Sequence, residues 1–213
     1  ADYPDVTDFL KGANNQFGTT FDDLTAVLAQ AGSLADPAGR NRLYAQANHL
    51  IKQHVPMVPI VHSGSATAWR AAVNGAYSSP LGDEKFTLMS IPGQDTLVWM
   101  QTGEPTSLYC SDETSRESFR ACGQIFDSLL SYAPGSDTIE PGLAEHCTSN
   151  ADLTEWTCTL RPGAKFSDGT PVTAYDVVKT YAVQWDAADP LHAGSAGNFY
   201  YWSSFFGGFL NPK

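Results

Sequence analysis

Apolar residues recur along the chain at two periods. Phe21, Leu24, Val27, Leu28 and Ala31 share one face at helical spacing, with Gly32 to end the run. Thr20, with Asp23 three residues on, reads as an acid-ended capping box for this helix. Asp36 followed by Pro37 pairs an N-cap residue with proline at the first helical position. Leu43, Ala47, Leu50 and Ile51 then form the buried stripe of a second helix, bounded by Pro56 and Pro59. Val58 to Ser63, Ala66 to Val73 and Phe86 to Ile91 read as strands, with a turn at Pro80-Leu81-Gly82-Asp83. Past Pro92, Gly93 and Gln94 comes another strand, Thr96 to Gln101. Phe119, Cys122, Phe126, Leu129 and Leu130 mark a helix face. Thr138 to Cys147 and Glu155 to Leu160 suggest strands, and Arg161-Pro162-Gly163 and Ser167-Asp168-Gly169 suggest turns. Thr173 with Asp176 makes a second acid-ended cap, ahead of a stripe of Val177, Tyr181, Ala182 and Trp185. Helices and strands are mixed throughout, so the fold class is α/β to α+β.

The stretch NFYYWSSFFGGFL breaks this pattern with Phe199, Tyr200, Tyr201, Trp202, Phe205, Phe206 and Phe209. So many aromatics form either core or the wall of an amphipathic cleft, and the periodicity favours core.

Composition narrows the function. The chain has 213 residues, 42% apolar and 16% charged, enough to bury a core. A net charge of −11 argues against a nucleic-acid backbone or an anionic membrane as main partner, since both need basic patches. No apolar run reaches the roughly 20 residues of a membrane span. The opening ADYPDVTDFL has no basic-then-apolar leader and reads as cut from something longer.

The four cysteines fall into two local pairs, Cys110 with Cys122 and Cys147 with Cys158, neither at the tight spacing of a zinc or redox site. Ser149-Asn150-Ala151-Asp152 is a turn-forming centre that would set Cys147 opposite Cys158 in a hairpin. Local disulfides, and with them an oxidising compartment, are the favoured reading; free buried cysteines are the alternative. Catalytic signatures such as GxSxG, HExxH, a Walker loop or GxGxxG do not occur. His49 and His54 lack a convincing third metal ligand, and Asp22-Asp23 suits the positive end of a helix. The reading is therefore of a non-enzyme with no metal and no cofactor.

The stretch GLAEHCTSNADLTEWTCTLRPGAKFSDGTPVTAYDVVKTY resembles the signature of family 5 extracellular solute-binding proteins, the dipeptide, oligopeptide and nickel receptors of ABC importers. DTLVWMQTGEPTSL resembles the mature start of such proteins, and QWDAADPLHAGSAGNFYYWSSFFGGFL the segment after the helix. Residues 95–213 thus resemble the family's N-terminal segment: strand, helix, disulfide-bearing hairpin, helix, aromatic tail. Residues 1–91 resemble its C-terminal segment, two helices then strands, with SPLGDEKFTLMSI like the family's last strand. The order is permuted, and the family's middle has no counterpart.

The resemblance implies a periplasmic-binding-protein-like fragment of type II, peptide-binding class, packed as one unit. It implies capture of peptides, nickel chelates or similar solutes outside the membrane, as a periplasmic protein or cell-surface lipoprotein serving an ABC permease. Asp2, with its neighbour Tyr3, matches the motif that holds a peptide's α-amino group. Thr106 and Ser107, and Tyr200 and Tyr201, are further ligand candidates. The alternative is a non-binding structural or interaction module appended to an intact receptor. A joint of three residues between an end and a beginning requires Phe86 to Ile91 and Thr96 to Gln101 to lie close together.

Overall fold

The computed structural model of the protein describes residues 21–56, 58, 60, 66–79, 81–82, 84–194 and 199–212. The chain divides into two compact units: Ala1–Gly64 with Cys147–Thr159, and Ser65–His146 with Leu160–Lys213. The joint at residues 92–94 therefore falls inside the second unit and not at the boundary.

The first unit holds a helical hairpin, α1 (Asp22–Gly32) and α2 (Pro37–His54). The predicted stripes meet: Leu24, Val27, Leu28 and Ala47 form the core, with Phe21, Leu43, Tyr44, Leu50 and Ile51 packed against it. Asp36 caps α2 as expected, its carboxylate accepting from Ala38 N at 3.2 Å and Gly39 N at 2.7 Å. Thr20 lies outside the described residues, and the N-cap position of α1 falls on Phe21, which offers no side-chain acceptor. Asp23 instead accepts from Leu24 N and reaches across to His54 Nε2 at 2.8 Å, with Phe21 stacked on the imidazole at 4.3 Å. That bond holds the Asp23 carboxyl below its ordinary pKa.

Several strand expectations are corrected. Val58 and Ile60 are exposed, and the rest of that segment lies outside the described residues. Ala66 to Val73 ends in a turn, with Val73 N donating to Arg70 O. Phe86–Leu88 is a 3-10 turn, and Thr96 to Gln101 has no ladder partner among the described residues. A strand of either type needs a neighbour for its backbone groups, and apolar character alone does not supply one. Before Phe86 a turn is closed by Gly82 N donating to Ser79 O at 3.3 Å, while Pro80 and Asp83 of the expected turn lie outside the described residues.

The helix expected through Leu130 is also shorter. It runs Arg116–Cys122 (α3), capped by Ser115, whose hydroxyl accepts from Ser118 N at 3.1 Å. Leu130 opens β1 (Leu130–Tyr132), which pairs antiparallel with β2 (Ile139–Pro141). The run Thr138 to Cys147 breaks at Gly142, where a Cβ would sit 2.4 Å from Ser128 O, so only glycine lets these backbones approach. Then come β3 (Ala144–Ser149) and β4 (Trp156–Leu160), which form the expected hairpin. Both predicted disulfides, Cys110–Cys122 and Cys147–Cys158, are formed.

The last helices are α4 (Ala174–Trp185) and α5 (Tyr200–Phe206). Thr173 and Asp176 make the reciprocal capping box, and the Thr173 bonds hold the Asp176 carboxyl below its ordinary pKa. The α4 stripe is only partly covered: Val177 and Trp185 are half-buried, whereas Tyr181 is exposed. The aromatic tail is core only in part: Phe199 and Trp202 are buried, whereas Phe205 and Phe206 are exposed. Trp202, 6% exposed, lies against Trp185, Phe206 and Phe209, and Trp185 Nε1 donates to Gly208 O at 2.7 Å.

Candidate functional site

The second unit carries a cleft of about 540 Å³, within the size range of small-molecule sites. Phe86 and Trp99 wall it, their centroids 5.1 Å apart, and residues 101–104 form one rim with Arg120 and Ala121 opposite. The contact between Phe86 and Trp99 brings together the two segments flanking the joint, as a joint so short requires. Pro92 and Gly93 turn the chain between them, with Gln94 N donating to Ile91 O at 3.1 Å and Gly93 at φ +73°.

Arg120 anchors the cleft. Its Nε donates to Glu84 Oε2 at 2.9 Å, its Nη1 to Gln101 Oε1 at 3.3 Å, and its guanidinium carbon lies 6.0 Å from the centre of the Trp99 ring. The pair is well enclosed, with the Arg120 side chain 12% and the Glu84 side chain 3% exposed. Gln124 completes the frame, accepting from Phe86 N at 2.9 Å and donating to Glu84 O at 2.8 Å. Arg120 of α3 and Gln124, just past its end, thus fix residues 84–86. The sequence reading missed this group, because nothing local to Glu84 or Arg120 marks them as partners. A second, smaller hollow of about 310 Å³ shares Trp99, Gln101, Thr102 and Arg120.

The expected ligand residues lie elsewhere. Asp2 and Tyr3 are outside the described residues. Thr106 and Ser107 sit in the loop ahead of α3, and the disulfide joins Cys110, later in that loop, to Cys122 at the end of α3. Thr106 Oγ1 donates to Glu113 Oε2 at 2.7 Å and lies 3.1 Å from Ser118 Oγ, while Ser107 Oγ accepts from Tyr109 N at 2.8 Å. Ser118 is fully buried, and its hydroxyl also accepts from Thr106 N. These hydroxyls shape their own loop and do not line the cleft. Tyr200 opens α5, and Tyr201 is half-buried, stacked on Phe205 at 5.6 Å. Among the described residues no group of histidine, cysteine or acidic side chains could hold a metal ion. No described helix is long and apolar enough to cross a membrane.

Residues 138–201 match the model of bacterial extracellular solute-binding proteins, family 5 Middle. The match covers β2, the disulfide hairpin β3–β4, the following turns and α4 with its capping box. It includes Tyr200 and Tyr201, and leaves Asp2, Tyr3, Thr106 and Ser107 outside.

The chain is also similar to short stretches of curated binding proteins. Di/tripeptide-binding protein 4 of Pseudomonas aeruginosa is 33% identical over 86 residues, covering 38% of this chain and 16% of that protein. The periplasmic murein peptide-binding protein of Escherichia coli is 36% identical over 78 residues, 37% of this chain and 14% of that protein. Heme-binding protein A of Haemophilus influenzae is 34% identical over 87 residues, 38% and 16%. The chain spans about a sixth of the length of the curated relatives it matches. No solved structure matches it.

Proposed function

We propose that this chain is a fragment of an ABC-importer substrate-binding protein that captures peptides or similar solutes outside the membrane. The observation that carries the reading is the family 5 match over residues 138–201, backed by relatives named for binding peptides. The relative named for heme favours a scaffold whose ligand is set by details outside the shared stretch. Two disulfides suit an oxidising compartment, so the location is periplasmic or at the cell surface, beside a membrane permease.

In this reading residues 1–91 are the family's C-terminal segment, joined ahead of its N-terminal segment, residues 95–213. The contact of Phe86 with Trp99 around the Pro92-Gly93 turn supports the joint. Asp2 pairs with a peptide ammonium, because a carboxylate leaving water needs a cationic partner. Tyr3, Thr106, Ser107, Tyr200 and Tyr201 supply secondary contacts, and main-chain bonds of strand type hold the rest of an extended peptide. A non-binding module is the second reading, favoured by the hydroxyls of Thr106 and Ser107 being engaged within their own loop.

Calorimetric titration with di- to pentapeptides separates the two. One-sided burial removes little apolar area while association still costs several kcal/mol. The fragment reading therefore expects saturable binding no tighter than about millimolar, roughly −4 kcal/mol, weakened further by Asp2→Asn. The module reading expects no saturable binding at any peptide length.

A further inference from the structure

We propose that the cleft walled by Phe86, Trp99 and Arg120 takes one aromatic side chain of an extended peptide. This builds on the solute-binding reading and names the class of side chain selected. The cleft offers two tilted rings and a guanidinium face within 6.0 Å of the Trp99 ring centre. A flat aromatic guest matches these surfaces by offset stacking and by packing on the guanidinium plane, which a branched aliphatic group cannot do as well. The charge of Arg120 is already balanced by buried Glu84, so the site does not call for an anion. Its rim adds Glu104, a carboxylate that repels acidic guests.

The second observation concerns the rim backbone. Among the described residues, no hydrogen bond engages the main-chain N–H or C=O groups of residues 101–104. Such a row of unpaired groups beside an aromatic cleft can receive the main chain of a peptide while the cleft receives its side chain. The cleft's volume of about 540 Å³ leaves room for one ring and its attached backbone.

Fluorine NMR of the whole chain with a capped tripeptide, alanine–para-fluorophenylalanine–alanine, provides the test. Capped Ala-Phe-Ala should displace this probe about tenfold more effectively than capped Ala-Leu-Ala or Ala-Ala-Ala. Ala121→Phe fills the cleft without removing any of its polar bonds and should abolish probe binding; Trp99→Ala should weaken it about tenfold. Circular dichroism confirms that both variants are folded. Equal displacement by the leucine or alanine peptide, or probe binding that survives Ala121→Phe in a folded protein, overturns the proposal. The capped probe has no ammonium, so Asp2→Asn should leave its binding unchanged. Calorimetric peptide binding that Asp2→Asn leaves unchanged, with the aromatic preference intact, would thus count against the ligand role of Asp2 and in favour of the cleft.

Discussion

Glu84 and Arg120 show how much one pair can carry in a small core. Both are enclosed, and each keeps the other from being a lone charge away from water. Glu84→Gln should therefore destabilise the chain by about 3 kcal/mol, measured by urea denaturation, and should loosen residues 84–86 from α3. Replacing the exposed Arg42, 4.0 Å from Asp36, should change stability by less than about 0.5 kcal/mol. Asp176 acts through the capping box it makes with Thr173. Its folded pKa lies below the unfolded value, so its contribution is complete above the unfolded pKa and is lost as pH falls through the folded one. Asp176→Asn should thus lower stability at pH 7, and the gap to the parent chain should close as pH falls through the folded pKa. A gap that persists in acid would assign the effect to packing instead of charge.

At the scale of elements, the caps did most of the placing. Asp36 with Pro37 starts α2, Ser115 starts α3 and Thr173 starts α4, each with its side chain on an otherwise unpaired amide or carboxylate. Asp36→Ala should cost about 1 kcal/mol, read as a lowered midpoint of unfolding. The two disulfides close loops with sequence separations of 12 and 11 residues, and each should stabilise by about 3 kcal/mol. Mass spectrometry of chain secreted to an oxidising compartment should find no free thiol. Four alkylatable cysteines would show that the bonds do not form there.

For the whole molecule, the division into two compact units has a measurable consequence. Leu28 is 4% exposed in the core of the helical hairpin. Leu28→Ala should cost about 2–4 kcal/mol there. In hydrogen exchange, amides of α1 and α2 should lose protection while those of α3 and α4 keep theirs, if each unit opens by itself. Equal loss across all four helices would mean that the chain unfolds as one body.

The sequence by itself determined the helices α1, α2 and α4, the disulfide hairpin and its neighbouring turns, and the core role of Trp202. These rest on signals within a few residues: a cap, a 3.6-residue period, a glycine at a tight turn. It also carried the family resemblance, because the hairpin, turns and capped helix lie in one continuous stretch. Only the tertiary structure decided the fate of Phe86 to Ile91 and Thr96 to Gln101. Their apolar residues fit a strand, but a strand exists only when a distant segment supplies a ladder of hydrogen bonds; here Ser90 makes one isolated bridge with Asn74, and Gln124, just past α3, captures Phe86. The same holds for the bond of Asp23 with His54, 31 residues away in sequence, and that of Glu84 with Arg120, 36 away. Pairing across such distances follows from how helices pack, and no local pattern encodes it.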